Sequence, residues 1–145
     1  MGRGANGKRF AELQISIFDV SDPTDPIRTH LYSLDGGRNT STELTGNRWT
    51  NGDGDHHAVT YLVDARLLAL PVMNEAAGGN WAQNGQPFES GVGGLLLFHI
   101  DPAEGIQRIA SIEHDTMIRR AVHVGDRLYA VSSSAITAID IANPA

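Results

Sequence analysis

Apolar residues in this chain fall in short runs of two kinds. Some alternate with polar residues, as in "LQISIF" (13–18), "RTHLYSL" (28–34) and "RAVHV" (120–124). Others are continuous, as in "LLALPV" (67–72) and "GLLLFHI" (94–100). Alternation marks a strand with one buried face, and a short unbroken run bounded by turn residues marks a strand buried on both. Gly, Asp, Asn and Pro punctuate the runs, and the three-to-four-residue spacing of an amphipathic helix is nearly absent. The pattern predicts strands over Leu13–Val20, Ile27–Leu34, His57–Val63, Leu67–Val72, Gly94–Ile100, Ile106–His114, Ile118–Val124, Arg127–Ser132 and Ile136–Ile141. "VDAR" (63–66) and "VGDR" (124–127) read as hairpin turns. The fold class is all-β.

The strands repeat. "LQISIFDVSDPTDPIRTHLYSLD" (13–35) matches "GLLLFHIDPAEGIQRIASIEHD" (94–115), placing Phe18 on Phe98, Arg28 on Arg108 and Asp35 on Asp115. A third copy begins at "AITAIDIANPA" (135–145), with Ile139 in the place of Phe98. Between them "LVDARLLALPV" (62–72) parallels "HVGDRLYAVSS" (123–133), with Arg66 set on Arg127 and Ala69 on Ala130. The unit is a hairpin, a third strand closed by an Asp/Asn-Pro turn, and a fourth strand. Four antiparallel strands recurring about every 40 residues are the signature of a β-propeller blade.

Counted this way, the chain is a partial β-propeller of about two to two and a half four-stranded antiparallel blades. Residues 1–12 read as a disordered or linker N-terminus, 13–35 as the end of one blade, 56–115 as a full blade with an insertion at 73–93, and 117–145 as a partial blade. A closed ring needs at least four blades, so the expectation is a segment of a larger ring or a truncated gene product, with unpaired strand edges at both ends. The extra length is concentrated in two stretches, Gly36–Gly54 and Met73–Gly93. Antiparallel strands return the chain to the same end at alternate turns, so both stretches are expected on one face.

Three segments, "LQISIFDVSDPTDP", "DHHAVTYLVDARLLALPV" and "IRRAVHVGDRLYAVSSSAITAIDI", together resemble the secreted bacterial and archaeal β-propeller proteins distantly related to WD repeats. In order and spacing they look like the C-terminal blades of that family. The resemblance implies a propeller fold, an extracellular or cell-envelope location and a longer parent protein, and it supplies no chemistry. The family's strand-opening Asp-His falls on Asp55 and His56, its Ile-Arg-Arg entry on Ile118, Arg119 and Arg120, and its Gly-Asp turn on Gly125 and Asp126. Val59 stands where the family usually carries an aromatic, and the loop before Asp55 is longer than usual.

Composition narrows the partners. With 11 Lys+Arg against 17 Asp+Glu the net charge is -6, and no basic patch accompanies it, so nucleic acid is not an expected partner. No apolar run approaches the ~18 residues that cross a bilayer as a helix. The absence of cysteine removes disulfides, thiolate metal sites and thiol nucleophiles.

The chemistry-bearing residues gather in the two long stretches. Asn51, Asp53 and Asp55 alternate with glycines before His56. Oxygen ligands on a tight loop suit Ca²⁺, the one candidate cofactor, with Glu75 of the other stretch able to complete a site. The plainer reading is a solvated polar loop. The fit to a helix–loop–helix calcium loop is poor, since Leu62 stands where its bidentate glutamate belongs. His56 and His57, if in a strand, point to opposite faces and cannot chelate together, so zinc would need ligands such as Asp55 or His30 that no spacing supports. The plainer role for Asp55 and His56 is a hydrogen bond within the blade.

Trp49 and Trp81 sit in polar loops beside Asn47 and Asn80, a setting suited either to stacking on a sugar or partner, or to pinning their own loops. Arg119 and Arg120 fit a salt bridge to Asp115 or Asp126 better than an anion site at a channel mouth. His99, His114 and His123 read as isolated strand residues. "SSS" (132–134) reads as a turn without a nucleophile elbow, and "GVGG" (91–94) lacks the helix of a phosphate loop.

The leading expectation is a non-enzymatic binding module that takes a protein or glycan at one loop face. Further blades, or self-association through open edges, would complete the ring. The alternatives are a metal-dependent propeller hydrolase or lyase, and a fragment without independent function.

Overall fold

Successive residues of two central strands feed two different cores, and this organises the molecule. The computed structural model describes residues 2–3, 13–34, 40–41, 56–74 and 93–144. Its strands are β1 (Gly2–Arg3), β2 (Leu13–Asp19), β3 (Ile27–Ser33), β4 (Thr40–Ser41), β5 (Thr60–Leu62), β6 (Leu67–Asn74), β7 (Gly93–Asp101), β8 (Gly105–His114), β9 (Ile118–Val124), β10 (Arg127–Ser132) and β11 (Ile136–Asp140). They form three antiparallel sheets: β1-β2-β3; β4-β6-β7-β8 with β5 also on β6; and β9-β10-β11. This is the all-β, partial-propeller arrangement that the repeat predicts.

The middle sheet is packed on both sides. Leu68, Leu70, Val72, Leu96 and Phe98 meet Leu13, Ile15 and Leu34 of the first sheet. Leu67, Ala69, Leu95 and Leu97, pointing the opposite way, meet Ile118, Ala121, Leu128, Ala130 and Ile139 of the third. A period of two divides "LLALPV" and "GLLLF" between the cores, which is why these runs are apolar without interruption. Across the first interface Tyr32 meets Phe98 edge to face, with ring centroids 5.2 Å apart. Pro71, which has no N–H for a ladder, falls between the last β6 residue paired to β5, Ala69, and the first paired to β4, Met73.

The repeat is visible in the backbone. In β2–β3 a bulge falls between Ile17 and Phe18, with Phe18 opposite Arg28. In β7–β8 it falls between Leu97 and Phe98, with Phe98 opposite Arg108. The match of Phe18 to Phe98 and of Arg28 to Arg108 is therefore a match of geometry as well as residue type. Each third strand also closes on an aspartate that accepts from a backbone N–H two residues on: Asp19 from Ser21 at 2.9 Å, Asp101 from Ala103 at 2.7 Å, Asp140 from Ala142 at 2.9 Å.

The hairpin alignment needs a correction of one residue. "VDAR" is a four-residue loop between paired Leu62 and Leu67, whereas "VGDR" is a two-residue turn between paired Val124 and Arg127. Ladder position thus equates Leu67 with Arg127, Leu68 with Leu128 and Leu70 with Ala130, in place of Arg66 with Arg127 and Ala69 with Ala130. A slip of one reverses every side chain. The corrected register sends Leu68, Leu70, Leu128 and Ala130 all toward the preceding sheet. In the shorter turn Gly125, with φ +61°, takes the first central position, as in type II′ turns.

Three further differences concern local structure. The strand expected from His57 begins at Thr60, because His56–Ala58 forms a 3₁₀ turn. Gly2–Arg3, within the stretch read as a linker, pairs with Gln14 and Leu13. Thr40–Ser41, within the first long stretch, pairs with Asn74 and Met73.

Close approach between the first and middle sheets depends on a glycine. Gly105 opens β8 at φ +102°, and a Cβ there would lie 2.8 Å from Cδ2 of His30 in the first sheet. Gly105→Ala therefore meets both backbone strain and a steric clash, and should lower stability by about 1–3 kcal/mol. His30→Ala in the same chain should recover the clash portion, read as a partial return of the urea midpoint. An unchanged midpoint in Gly105→Ala would contradict the close approach.

Candidate functional site

Both ends of the sheets carry groups of interest, and strand direction separates them. The β5–β6 loop, the β7–β8 turn and the β9–β10 turn emerge at one end. At the other end lie the last residues of β3, β6, β8 and β10, together with the flanks of the two long stretches. The pairing of Thr40 with Asn74 and of Ser41 with Met73 ties the first stretch to the point where the second leaves β6. The expectation that both project at one face is met at their described bases. Trp49, Trp81, Asn47, Asn80, Glu75, Asn51, Asp53 and Asp55 lie outside the described residues.

The described candidates are few at this loop end. His56 opens the 3₁₀ turn and His57 is exposed within it. The backbone here is a 3₁₀ turn and not the strand expected from His57. Arg119 is the extra residue of a bulge, with Arg120 opposite Val131 and Ile118 opposite Ser132, so strict alternation fails for this pair as well. Both arginines are exposed. Among the described residues no three His, Asp or Glu side chains come together as a metal-binding group.

One histidine read as isolated is a structural tie. His114, at the end of β8, is buried. Its Nδ1 lies 2.8 Å from Ser132 Oγ on β10, and its Nε2 lies 2.8 Å from Thr137 Oγ1 on β11. The Ser132 hydroxyl donates to the Ala135 carbonyl at 3.3 Å and accepts from the Ala135 N–H at 3.1 Å. Each ring nitrogen thus has a hydroxyl partner, and a hydroxyl can donate or accept. The link joins the middle and third sheets and satisfies polar groups at the rim of an apolar core. At the start of β5, the Thr60 hydroxyl donates to the Ala121 carbonyl at 2.8 Å across the same interface.

Three stacked sheets, a recurring bulge and polar ties between neighbours now stand with a further finding: the family model of the beta propeller domain matches residues 1–143. The chain belongs to the β-propeller domain family. No curated protein and no solved structure matches it. Each sheet is thus a propeller blade, and His114 takes at the second blade interface the repeat position that Leu34 takes at the first. That substitution was the available signal: a polar residue at a core repeat position, with Ser132 and Thr137 in the blade that follows.

The opposite end of the propeller holds an open cleft of about 830 Å³ between the middle and third blades, lined by Tyr61, Val63, Asp64, His123, Asp126 and Asp140 among others. His123 Nε2 lies 2.7 Å from the Gly125 carbonyl, so this ring braces the turn, and Asp126 belongs to that turn. Nearby, Asp101 pairs with Arg66 and accepts from the N–H groups of Ala103 and Glu104. These backbone donors first, and the Arg66 charge after them, hold the Asp101 carboxyl below the usual range. The Ser21 hydroxyl and N–H do the same for Asp19, and those of Thr24 for Asp22.

Two predictions follow from these contacts. His114→Ala should lower stability by about 2 kcal/mol, with Thr137→Val costing less in that background than in the parent chain. Additive losses in a denaturation cycle would contradict the tie. For the aspartates, a folded pKa below the unfolded value gives stabilisation that is complete above about pH 4 and is lost as pH falls through the folded value. The melting midpoint should drop as pH falls below about 4, and less steeply in Asp101→Asn. An identical slope in that variant would exclude a contribution from Asp101.

Proposed function

We propose that this propeller segment is a non-enzymatic binding module whose ligand surface is the loop end carrying residues 36–54 and 75–92. The observation that supports it is the β4–β6 pairing, which brings the base of the first long stretch against the base of the second. Long insertions on one face of a repeat fold commonly form its binding surface. The residues they contribute suit that use. Trp49 and Trp81 supply large aromatic faces, and Asn47, Asn80 and Glu75 supply polar groups for orientation. A glycan or a protein segment is the ligand class this combination recognises, in keeping with an extracellular or cell-envelope location. Ca²⁺ on Asn51, Asp53, Asp55 and His56 is an accessory to the same surface.

The test is glycan-array and pull-down binding by the chain and by Trp49→Ala and Trp81→Ala, with and without millimolar Ca²⁺. Each substitution should weaken a captured ligand tenfold or more, about 1.4 kcal/mol. Chelator should lower the melting midpoint if the ion is bound. Binding indifferent to both tryptophans would place the ligand elsewhere. Ca²⁺-dependent cleavage of a glycan, abolished in Asp55→Asn, would replace this reading with a metal-dependent hydrolase or lyase.

A further inference from the structure

Much of the chain's acid surplus stands at the end of the blades away from the two long stretches. The turns at 19–26, 63–66, 101–104, 124–126 and 140–144 hold eight of the 17 acidic residues and one of the 11 basic ones, Arg66. That arginine is paired with Asp101. Arg28 and Arg127 stand just beyond the turns, on β3 and β10.

The cleft of about 830 Å³ opens at this end, between the β5–β6 loop and the turn and last strand of the third blade. Leu62 and Ile141, which also pack on the core between these blades, give it an apolar base. Tyr61 and Val63, 46% and 70% exposed, line it nearer the surface. Asp64, Asp126 and Asp140 add three exposed carboxylates. The third blade's side is braced by its own backbone. The Ile141 N–H donates to the Asp126 carbonyl at 3.1 Å, and the Asp140 carboxylate accepts from the Ala142 N–H at 2.9 Å. Among the described residues, neither the Asp64 nor the Asp126 carboxylate has a hydrogen bond or an ion pair.

We propose that this cleft binds a basic peptide segment of a partner protein, taking an arginine or lysine side chain against Tyr61 among these carboxylates. A long cationic side chain matches both parts of the lining. Its methylene stem lies on the apolar base, and its charged head meets the tyrosine ring and the aspartates. An anionic segment would face three like charges. A bare metal ion is the poorer occupant, because these carboxylates do not converge as a metal-binding group among the described residues. The volume falls within the ~300–1,000 Å³ of pockets that enclose small ligands, room for one or two side chains and not for a folded element. The site lies at the end opposite the long stretches and does not rest on the loop-end reading.

The test is an NMR titration of the full chain with a short peptide of alternating arginine and leucine, and with its glutamate–leucine counterpart. The basic peptide should shift the amides of residues 61–65 and 125–126, and the acidic one should not. Raising salt from ~50 to ~500 mM screens exposed charges and should weaken binding about fivefold or more. Asp64→Asn, Asp126→Asn and Tyr61→Leu should each weaken it about threefold, with the melting midpoint unchanged in the two aspartate variants. Asp25→Asn makes the same charge change in the β2–β3 turn, outside the cleft, and should bind as the parent chain does. Equal weakening by Asp25→Asn would reduce the effect to net charge and overturn the site. So would no shift with either peptide, equal shifts with both, or the same shifts from Mg²⁺ at matched ionic strength.

Discussion

The two central strands of the middle blade have no solvent side, and the rest of the molecule depends on that. Leu67 and Ala69 pack one way and Leu68, Leu70 and Val72 the other, with Leu95 and Leu97 opposed to Leu96 and Phe98 in the neighbouring strand. The first and third blades are held chiefly by what these two strands offer them. Removing any one of these side chains opens a hole at a sheet-to-sheet contact, where little is free to collapse into the space.

Polar contacts fix how the blades sit once apolar burial has brought them together. The His114 link to Ser132 and Thr137, and the Thr60 hydroxyl on the Ala121 carbonyl, bridge the middle and third blades at two separate points. Between the first and middle blades the corresponding constraint is steric, with Gly105 allowing His30 to approach its backbone. Buried hydrogen-bonding groups specify a geometry because the cost of leaving them unsatisfied is high. The binding surface proposed at the loop end rests on this frame, since its described bases are the ends of β6 and β7 and the approach to β5.

The parts of this fold that recur were legible in the sequence, and the exceptions are local. Continuous apolar runs at 67–72 and 94–100 marked the doubly buried strands, and Gly, Asp and Pro marked their ends. The bulge at Phe18 and Phe98 follows the residue match itself. The hairpin register was misread by one because Arg66 and Arg127 align as letters while their loops differ in length by two residues. Two-residue strands such as β1 and β4 have no periodicity to detect. The tie at His114 is visible only when repeat position and the facing blade are considered together. At the candidate site, the sequence shows residue types suited to a ligand, while Trp49, Trp81 and the acidic loop lie outside the described residues. Composition there specifies no geometry.

Native-state hydrogen exchange tests the central dependence most directly. If the doubly packed middle blade holds the three sheets together, the paired amides of β6 and β7, Leu95 to Phe98 among them, should exchange only through global unfolding and be the slowest in the chain. Outer pairs such as β2–β3 and β10–β11 should open at lower free energy. Exchange from β7 as fast as from β3 or β11, or three sheets opening independently, would contradict the account.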